Sequence, residues 1–505
     1  MAKQPKNLFL KGLSSSYLQF AIVTIVGLWL TPYVLTFLSK AEYGVFAIFI
    51  DLIAWIALIE ITNGVMQSKL AHYYANDKLE EAQKLATSAF WSQTVIAVLI
   101  LIVSITLSFN LDLIVDQKEP IPYLKEAFIL LAIASSIDLV GRTYASIMVA
   151  SKRIYLDNFI NIFIFLFRVA LMVIFLQEGY QILSLAIANL ITSIMAVFIK
   201  LYRVHKLGLS FSLHPKNTSM EKIFFLYDNG KWFSLGSLAG LLIFNIDRII
   251  AGKMLGLEIV TIYIITLKLY DLLEKMLSKV IGISRPFIAE LYAKKEYRQL
   301  SELFIFMDQI YTFLAWGIGF GVLVLSSWFI EWWVGPDFYG GDILSFFMFL
   351  NFALQAMVMP KRAYLASTLY EVKKQNIARV IEGMLNLVLS IVLVQYFDLI
   401  GLVLGSALAT LFGSNLTYSY FVRELLRKNG FAIHYSKMFW ISIGVIFGGS
   451  VYLLYVGQLH SYFYVIGIYI LYVAIILIYM QKHLMNNEYM QLVLKRLKIL
   501  SKVTS

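Results

Sequence analysis

Apolar residues run through this chain in long stretches that short polar segments separate. The first stretch, at about 13–38, is too long for a signal-peptide core and lacks a small-residue cleavage site. About 20 apolar residues span a bilayer as a helix, so this stretch predicts a first transmembrane helix. Further spans are predicted at about 43–67, 86–108, 123–149, 155–177, 181–201, 224–252, 259–285, 303–327, 342–368, 375–397, 399–421, 437–457 and 462–481. The pattern predicts an all-α polytopic membrane protein with fourteen transmembrane helices.

The first six and the next six predicted helices resemble each other weakly at an offset near 217 residues. Glu42 aligns with Glu258, and Tyr74 aligns with Tyr292. Because each half has an even number of helices, both halves cross the membrane in the same direction, as in a parallel repeat. We therefore expect an N-terminal bundle over 1–215, a second bundle over 216–430, and two further helices with a cytoplasmic amphipathic tail over 431–505. A substrate path is expected between the two bundles.

The composition fits a membrane protein and excludes several other classes. The 505 residues are 60% hydrophobic and only 14% charged, with a mean hydropathy of +0.76. A soluble domain carries about 25% charged residues, so a soluble enzyme, a disordered tail and a fibrous protein are excluded. The chain has no cysteine, which removes disulfides, thiolate metal sites and cysteine nucleophiles.

The net charge of +11 could indicate a nucleic-acid partner, so the positions of the basic residues decide its meaning. With a cytoplasmic N-terminus, 29 of the 42 basic residues fall in inner segments, four in outer segments and nine within spans. This asymmetry follows the positive-inside rule, so we expect cytoplasmic termini and no nucleic-acid partner. In the tail, Met490, Val493, Leu497 and Leu500 share one helical face, which fits either an interfacial helix or a solvated amphipathic one.

Basic residues within the predicted spans are the candidate substrate ligands, because intramembrane charges are costly unless they are paired or face water. Arg168 and Lys268 rank first, since each lies near mid-span without an obvious acid nearby in sequence. The other cationic candidates are Arg142, Lys275, Arg248 and Arg379. A planar guanidinium binds two phosphate oxygens at once. The set therefore predicts a net cationic, water-filled cavity that suits pyrophosphate.

Acidic residues in the same spans are candidates for ion coupling or gating. They are Asp138, Asp51, Glu60, Asp271 and Asp247. Structural pairing explains several of these charges equally well, because Asp138 and Arg142, like Asp271 and Lys275, are four residues apart. Arg248 adjoins Asp247, which fits a gating pair as well as a ligand. Lys279, Lys361 and Arg362 fit side chains that snorkel or cap inner helix ends as well as they fit ligands.

Several kinds of chemistry have no signature in the sequence. No G-x-x-x-x-G-K-[ST] loop occurs, which argues against built-in ATP hydrolysis. All six histidines fall in predicted loops, which argues against a histidine metal site or proton relay. We therefore expect no catalytic residue, no metal and no cofactor. Transport would use a gradient of H⁺, of Na⁺ or of the lipid carrier itself, and the residues do not choose among these.

Four segments, in order along the chain, resemble the motifs of one family. Residues 39–44 resemble a Leu-Gly-x-x-x-Tyr-Gly turn, with Lys40 where a glycine is usual, and residues 247–263 resemble its repeat. Residues 333–338 resemble a Trp-x-Gly-x-x-Phe motif, and residues 382–405 resemble the segment over helices 11 and 12. Together they resemble the polysaccharide transporter (O-antigen flippase) family of the multidrug/oligosaccharidyl-lipid/polysaccharide exporter superfamily.

The resemblance implies a flippase, not an enzyme, in the bacterial inner membrane. Its substrate would be an undecaprenyl-pyrophosphate-linked oligosaccharide repeat unit, moved to the outer leaflet by alternating access. It also implies a monomer whose partners are membrane lipids, a polysaccharide polymerase and a chain-length regulator.

Three alternatives stay open at this point. They are a multidrug exporter of the same superfamily, a peptidoglycan-precursor flippase, and a membrane polymerase or glycosyltransferase. A drug exporter would favour a more acidic or apolar cavity. A polymerase usually needs a large outer loop, and the longest predicted one, 109–122, offers only Asp112 and Asp116 as candidate carboxylates.

Overall fold

The computed structural model describes residues 4–57, 62–115, 120–209, 211–431, 437–456 and 462–479. These residues form helices joined by short connections and contain no β-strand. The α-helices are α1 (Gln4–Leu35), α2 (Lys40–Ile56), α3 (Asn63–Ala75), α4 (Leu79–Ser108), α5 (Leu124–Ala150), α6 (Ile154–Gln177), α7 (Ile182–Lys206), α8 (Met220–Phe244), α9 (Ile246–Met254), α10 (Leu257–Ala293), α11 (Tyr297–Trp333), α12 (Asp342–Ser367), α13 (Val372–Ala409), α14 (Leu416–Lys428), α15 (Lys437–Val456) and α16 (Tyr462–Tyr479). Each apolar stretch of the sequence coincides with one of these helices or with consecutive ones.

The described helices make the chain a multi-pass membrane protein. Seven segments are long and apolar enough to cross a membrane, and the pair α8–α9, bent by 42°, makes an eighth. Helices α2, α5 and α10 are not among them; they carry Asp51, Asp138 and Lys268. The all-helical membrane fold is thus confirmed, whereas the count of fourteen crossings stays a prediction. Glu60 and the amphipathic tail lie outside the described residues.

The chain divides into two compact units, Met1–Thr261 (unit 1) and Ile262–Ser505 (unit 2). Unit 1 extends past α7 because the next segment is fastened to α4. Trp91 Nε1 donates to the carbonyl oxygen of Leu213 at 3.1 Å, and the Ser219 amide donates to Ser88 Oγ at 3.0 Å. The boundaries predicted at 215–216 and 430–431 separate the halves of the predicted duplication, not these compact units. The duplication stays a prediction.

An ion pair at the start of α8 strengthens this attachment. Lys222 Nζ donates to Glu81 Oε2 at 2.6 Å and to the Tyr73 hydroxyl at 3.0 Å. These hydrogen bonds raise the pKa of Lys222 above its usual value. The connection between α7 and α8 is therefore held against α4 by charge as well as by backbone contacts.

The segment 39–44 turns the chain and allows a close helix contact in unit 1. Ser39 and Glu42 form a capping box at the start of α2, which satisfies backbone N–H groups that have no partner within the helix. A Cβ at Gly44 would collide with the backbone of Leu257, and Thr261 Oγ1 donates to the carbonyl oxygen of Lys40 at 2.6 Å. The motif therefore fixes how α2 meets the start of α10.

A tight helical hairpin lies within α13 of unit 2. The backbone reverses at Phe397 and Asp398, where Asp398 has a φ of 47°, at the boundary predicted between the eleventh and twelfth spans. The two arms pack closely, since a Cβ on Gly405 would lie 2.8 Å from the backbone nitrogen of Ser390. The second arm continues through a π-helical turn, Thr410–Asn415, into α14.

We predict that Gly405→Leu destabilises the protein, because the added side chain must separate the two arms. Overpacking of this kind costs about 1–3 kcal/mol, so the melting temperature of the full-length protein in detergent should fall. Gly444→Leu is the matched control, because a Cβ there would meet nothing within 4 Å. Equal melting temperatures for the two variants would contradict the close packing at Gly405.

Candidate functional site

The charged site of unit 1 surrounds Asp138 of α5. Its carboxylate interacts electrostatically with Arg168 of α6, with Lys200 of α7 and with Arg142, one turn along its own helix. Lys200 Nζ also lies 3.0 Å from Oδ1 of Asp157 on α6. Three basic and two acidic side chains from three helices therefore meet here, and the sum of their charges is positive.

Close packing of α5 against α7 brings these charges together. A Cβ on Gly141, which lies between Asp138 and Arg142, is 2.8 Å from Cγ2 of Val197 on α7, so a larger residue would force the helices apart. Arg168 Nε donates to Thr192 Oγ1 at 2.9 Å, which fixes the direction of the guanidinium group. Arg168 is half-buried, and Asp138 and Arg142 are exposed. The arginine is thus oriented by the protein and still accessible.

Two further polar residues of α6 make hydrogen bonds that help to position this helix, one to α1 and one within α6. Asn158 is buried and donates from Nδ2 to Ser15 Oγ at 2.9 Å and to Ser16 Oγ at 2.8 Å, both on α1. Asn161 Nδ2 donates to Asp157 Oδ2 at 3.0 Å. These contacts position α6, and with it Arg168, between α1 and α7.

A second charged site in unit 1 joins α2 to the bend between α8 and α9. Asp51 is only 1% exposed, and its Oδ2 lies 3.1 Å from Arg248 Nε. Asn245, at the bend, donates from Nδ2 to Asp51 Oδ1 at 2.5 Å. Asp247 is also buried. The structure thus gives Arg248 an ion-pair partner on a distant helix, which its neighbourhood in sequence could not indicate.

The charged centre of unit 2 is built on the carboxylate of Glu382, which is fully buried. Arg362 Nη2 lies 3.3 Å from Glu382 Oε2 and donates to Ser414 Oγ at 2.9 Å, and the Ser414 hydroxyl donates to the same carboxylate. Ser414 belongs to the π-helical turn, a feature often found at functional sites. The Arg362 side chain, for which the sequence also allowed a capping role at an inner helix end, thus pairs with an interior acid.

Neighbouring charges extend this centre. Arg379, three residues before Glu382, interacts electrostatically with Arg362 and with Glu382. Glu274 of α10 interacts in the same way with Arg362, Asp271 and Lys275. With Lys268, one turn before Asp271 on α10, the region holds four basic and three acidic side chains. The predicted cationic residues of unit 2 therefore lie in a region where acids offset most of the positive charge.

Sequence reasoning missed Lys200 because this lysine lies at the inner end of the predicted sixth span (181–201) and was counted with the basic residues of the inner segments. In the structure α7 continues to Lys206, and the Lys200 side chain is 14% exposed. Arg168 has an acid beside it after all, since Asp138 approaches from α5. A cross-helix pair of this kind leaves no i,i+4 signal in the sequence. Among the residues that the structure describes, no group of His, Cys, Asp or Glu could hold a metal ion.

Residues 34–340, more than half of the chain, match the model of the family described as polysaccharide biosynthesis protein. The uncharacterized membrane protein EpsK of Bacillus subtilis (strain 168) is 20% identical over 414 residues, which are 79% of this chain and 80% of that protein. This relative is similar over most of both chains.

Two solved structures show the same fold. A lipid II flippase MurJ in an inward closed conformation has a TM-score of 0.65 and 15% identity, over 92% of this chain and 99% of that one. An inward-facing multidrug resistance MATE family transporter of the MOP superfamily has a TM-score of 0.63 and 13% identity, over 82% of this chain and 95% of that one. The resemblance found in the sequence motifs is confirmed: the chain belongs to the polysaccharide biosynthesis protein family and has the fold of the MOP superfamily.

Proposed function

We propose that the protein is a flippase for undecaprenyl-pyrophosphate-linked oligosaccharide repeat units, which it moves from the cytoplasmic to the outer leaflet of a bacterial inner membrane. The family match and a fold shared with a lipid II flippase support this proposal. The observation that carries it is Arg168, an accessible and oriented guanidinium inside an apolar helix. The protein acts as a monomer with both termini in the cytoplasm, and a polysaccharide polymerase and a chain-length regulator are its partners in the same process.

The guanidinium of Arg168 is suited to a pyrophosphate. Its Nε is engaged by Thr192, so its two Nη groups are the donors for a ligand or for Asp138. Two N–H groups of one guanidinium match two oxygens of a phosphate. Away from bulk water the attraction between these charges is stronger than in solvent. Arg142, Lys268, Lys275 and Arg379 add positive charge along the substrate path.

Asp138 is the proposed coupling residue, because it competes with the substrate for Arg168. With no substrate bound, the carboxylate neutralises the guanidinium. When a pyrophosphate binds, Asp138 loses this partner and takes up a proton or a sodium ion. Binding of the coupling ion and binding of the substrate are then thermodynamically linked through Asp138. Asp271 and Glu60 are the further coupling candidates.

The Asp51–Arg248 pair is the proposed gate. It joins α2 to the α8–α9 bend, where Asn245 also binds Asp51, so the bend cannot change without breaking charged contacts. Hinges are often a few residues at the ends of helices. Asp247, beside Arg248 and buried, would change its surroundings in the same movement.

We predict that Arg168→Ala and Lys268→Ala each abolish export of the surface polysaccharide while the protein still inserts at its normal level. The measurement is surface polysaccharide in cells that depend on this protein, beside its amount in the membrane. Arg298→Ala is the control for charge loss, because that side chain is 83% exposed at the start of α11. Normal export by both the Arg168 and Lys268 variants would overturn the cationic path.

We predict that the gate needs its charges and not only its shape. Removing one partner of a buried ion pair costs about 3–5 kcal/mol, so Arg248→Gln alone should lower the melting temperature. The double variant Asp51→Asn/Arg248→Gln, which buries no lone charge, should recover stability but not transport. If the double variant transports at the normal rate, the pair is a structural contact and not a gate.

A multidrug exporter is the second candidate, favoured by the fold shared with a MATE family transporter. The positive sum of charges around Asp138 disfavours cationic drugs, because like charges repel. We predict that the protein gives cells no protection against ethidium and does not lower its accumulation. Ethidium efflux that is lost in an Asp138→Asn variant would favour the drug exporter over the flippase.

A further inference from the structure

Unit 2 contains a cavity that the proposed transport reaction does not use. Its volume is about 250 Å³, and it is lined by α11, α12, the π-helical turn, α14 and the first turn of α15. Three charged side chains line it, Asp308, Lys361 and Arg423, among walls that are mainly apolar. Arg362, Arg379 and Glu382, which form the charged centre of this unit, are not part of its lining.

Lys361 supplies positive charge inside the cavity. The residue is only 6% exposed, and its Nζ lies 3.9 Å from Asp308 Oδ1. This separation is too long for a hydrogen bond, although the opposite charges still attract. Within the part of the chain that the structure describes, the ammonium donors of Lys361 are therefore available to a ligand in the cavity.

Arg423 and Trp440 lie where the cavity meets the surface. Both are exposed, Arg423 in the second half of α14 and Trp440 in the first turn of α15. The segment between them carries Arg427, Lys428 and Lys437, and the positive-inside rule assigns it to the cytoplasmic side. Tryptophan is enriched at the membrane–water boundary, so this end of the cavity lies at the headgroup level of the inner leaflet.

We propose that this cavity binds one anionic phospholipid of the inner leaflet. Arg423 and Lys361 recognise the phosphate, and an acyl chain lies along apolar lining residues such as Leu416 and Val422. With Asp308 included, the charged lining sums to one positive charge, which complements a phosphodiester. A free phosphate would leave the apolar walls without a partner, whereas a neutral lipid would leave the excess positive charge without one.

The test is native mass spectrometry of the purified, delipidated full-length protein with phosphatidylglycerol. Loss of one charge-assisted contact should weaken binding about tenfold in Arg423→Gln. Arg427→Gln changes the same charge on the same helix outside the cavity lining, and it should bind as the unmodified protein does. Ser419→Phe, which fills the cavity without changing its charge, should also lose the lipid.

Further measurements distinguish a lipid phosphate from a free phosphate and test whether charge determines binding. Equal binding of phosphatidylcholine would overturn recognition by charge. Binding of inorganic phosphate alone at the same site, blocked by Arg423→Gln, would make the cavity a free-anion site and overturn the lipid proposal. Equal weakening by Arg423→Gln and Arg427→Gln would reduce the effect to surface charge. If Ser419→Phe elutes as aggregate in size-exclusion chromatography, the two arginine variants decide. These binding measurements stand whether or not the protein proves to be a flippase.

Discussion

A charge inside an apolar helix must find a counter-charge, and in this protein the counter-charge usually comes from a different helix. Arg168 meets Asp138, Arg248 meets Asp51, and Arg362 meets Glu382. A lone charge within a membrane is costly, and a buried pair from which one partner is removed leaves a group with no compensation. Each pair therefore fixes which helices lie side by side. The placement of charges in the interior of each unit and the packing of its helices consequently depend on each other.

Glycines allow the paired helices to come close enough for these contacts. Gly141 lets α5 approach α7 beside Asp138, and Gly413 lies against Glu382, where an added Cβ would be 2.7 Å from the Cβ of the acid. Small residues are the usual means of close approach between membrane helices, because apolar surface gains little from leaving lipid. Charged side chains on two helices can form an ion pair only where the two backbones come close to each other. Small and charged residues therefore have to be placed together, one supplying the space and the other the attraction.

Hydropathy predicted where most of the helices lie, because apolar stretches alternate with polar connections, although α2, α5 and α10 are not long and apolar enough to count as spans by that measure alone. The boundary near residue 398 and the joint between α12 and α13 follow from that contrast alone. The ion pairs could not be predicted in this way. Helical periodicity relates residues three or four positions apart, whereas Asp51 and Arg248 are joined only by tertiary folding. The π-helical turn that brings Ser414 to Glu382 likewise has no counterpart in a regular 3.6-residue pattern.

The pairs also change what the number of basic residues means for function. Nine bases in predicted spans suggest a strongly cationic interior, yet nearby acids cancel most of that charge: around Asp138 three bases meet two acids, and the region of Glu382 and α10 holds four bases and three acids. A site with large excess charge would hold a pyrophosphate too firmly to release it. A site with a small excess and a displaceable acid can exchange one partner for another at little net cost. The acids that limit the positive charge are therefore as necessary to the proposed transport as the arginines that bind.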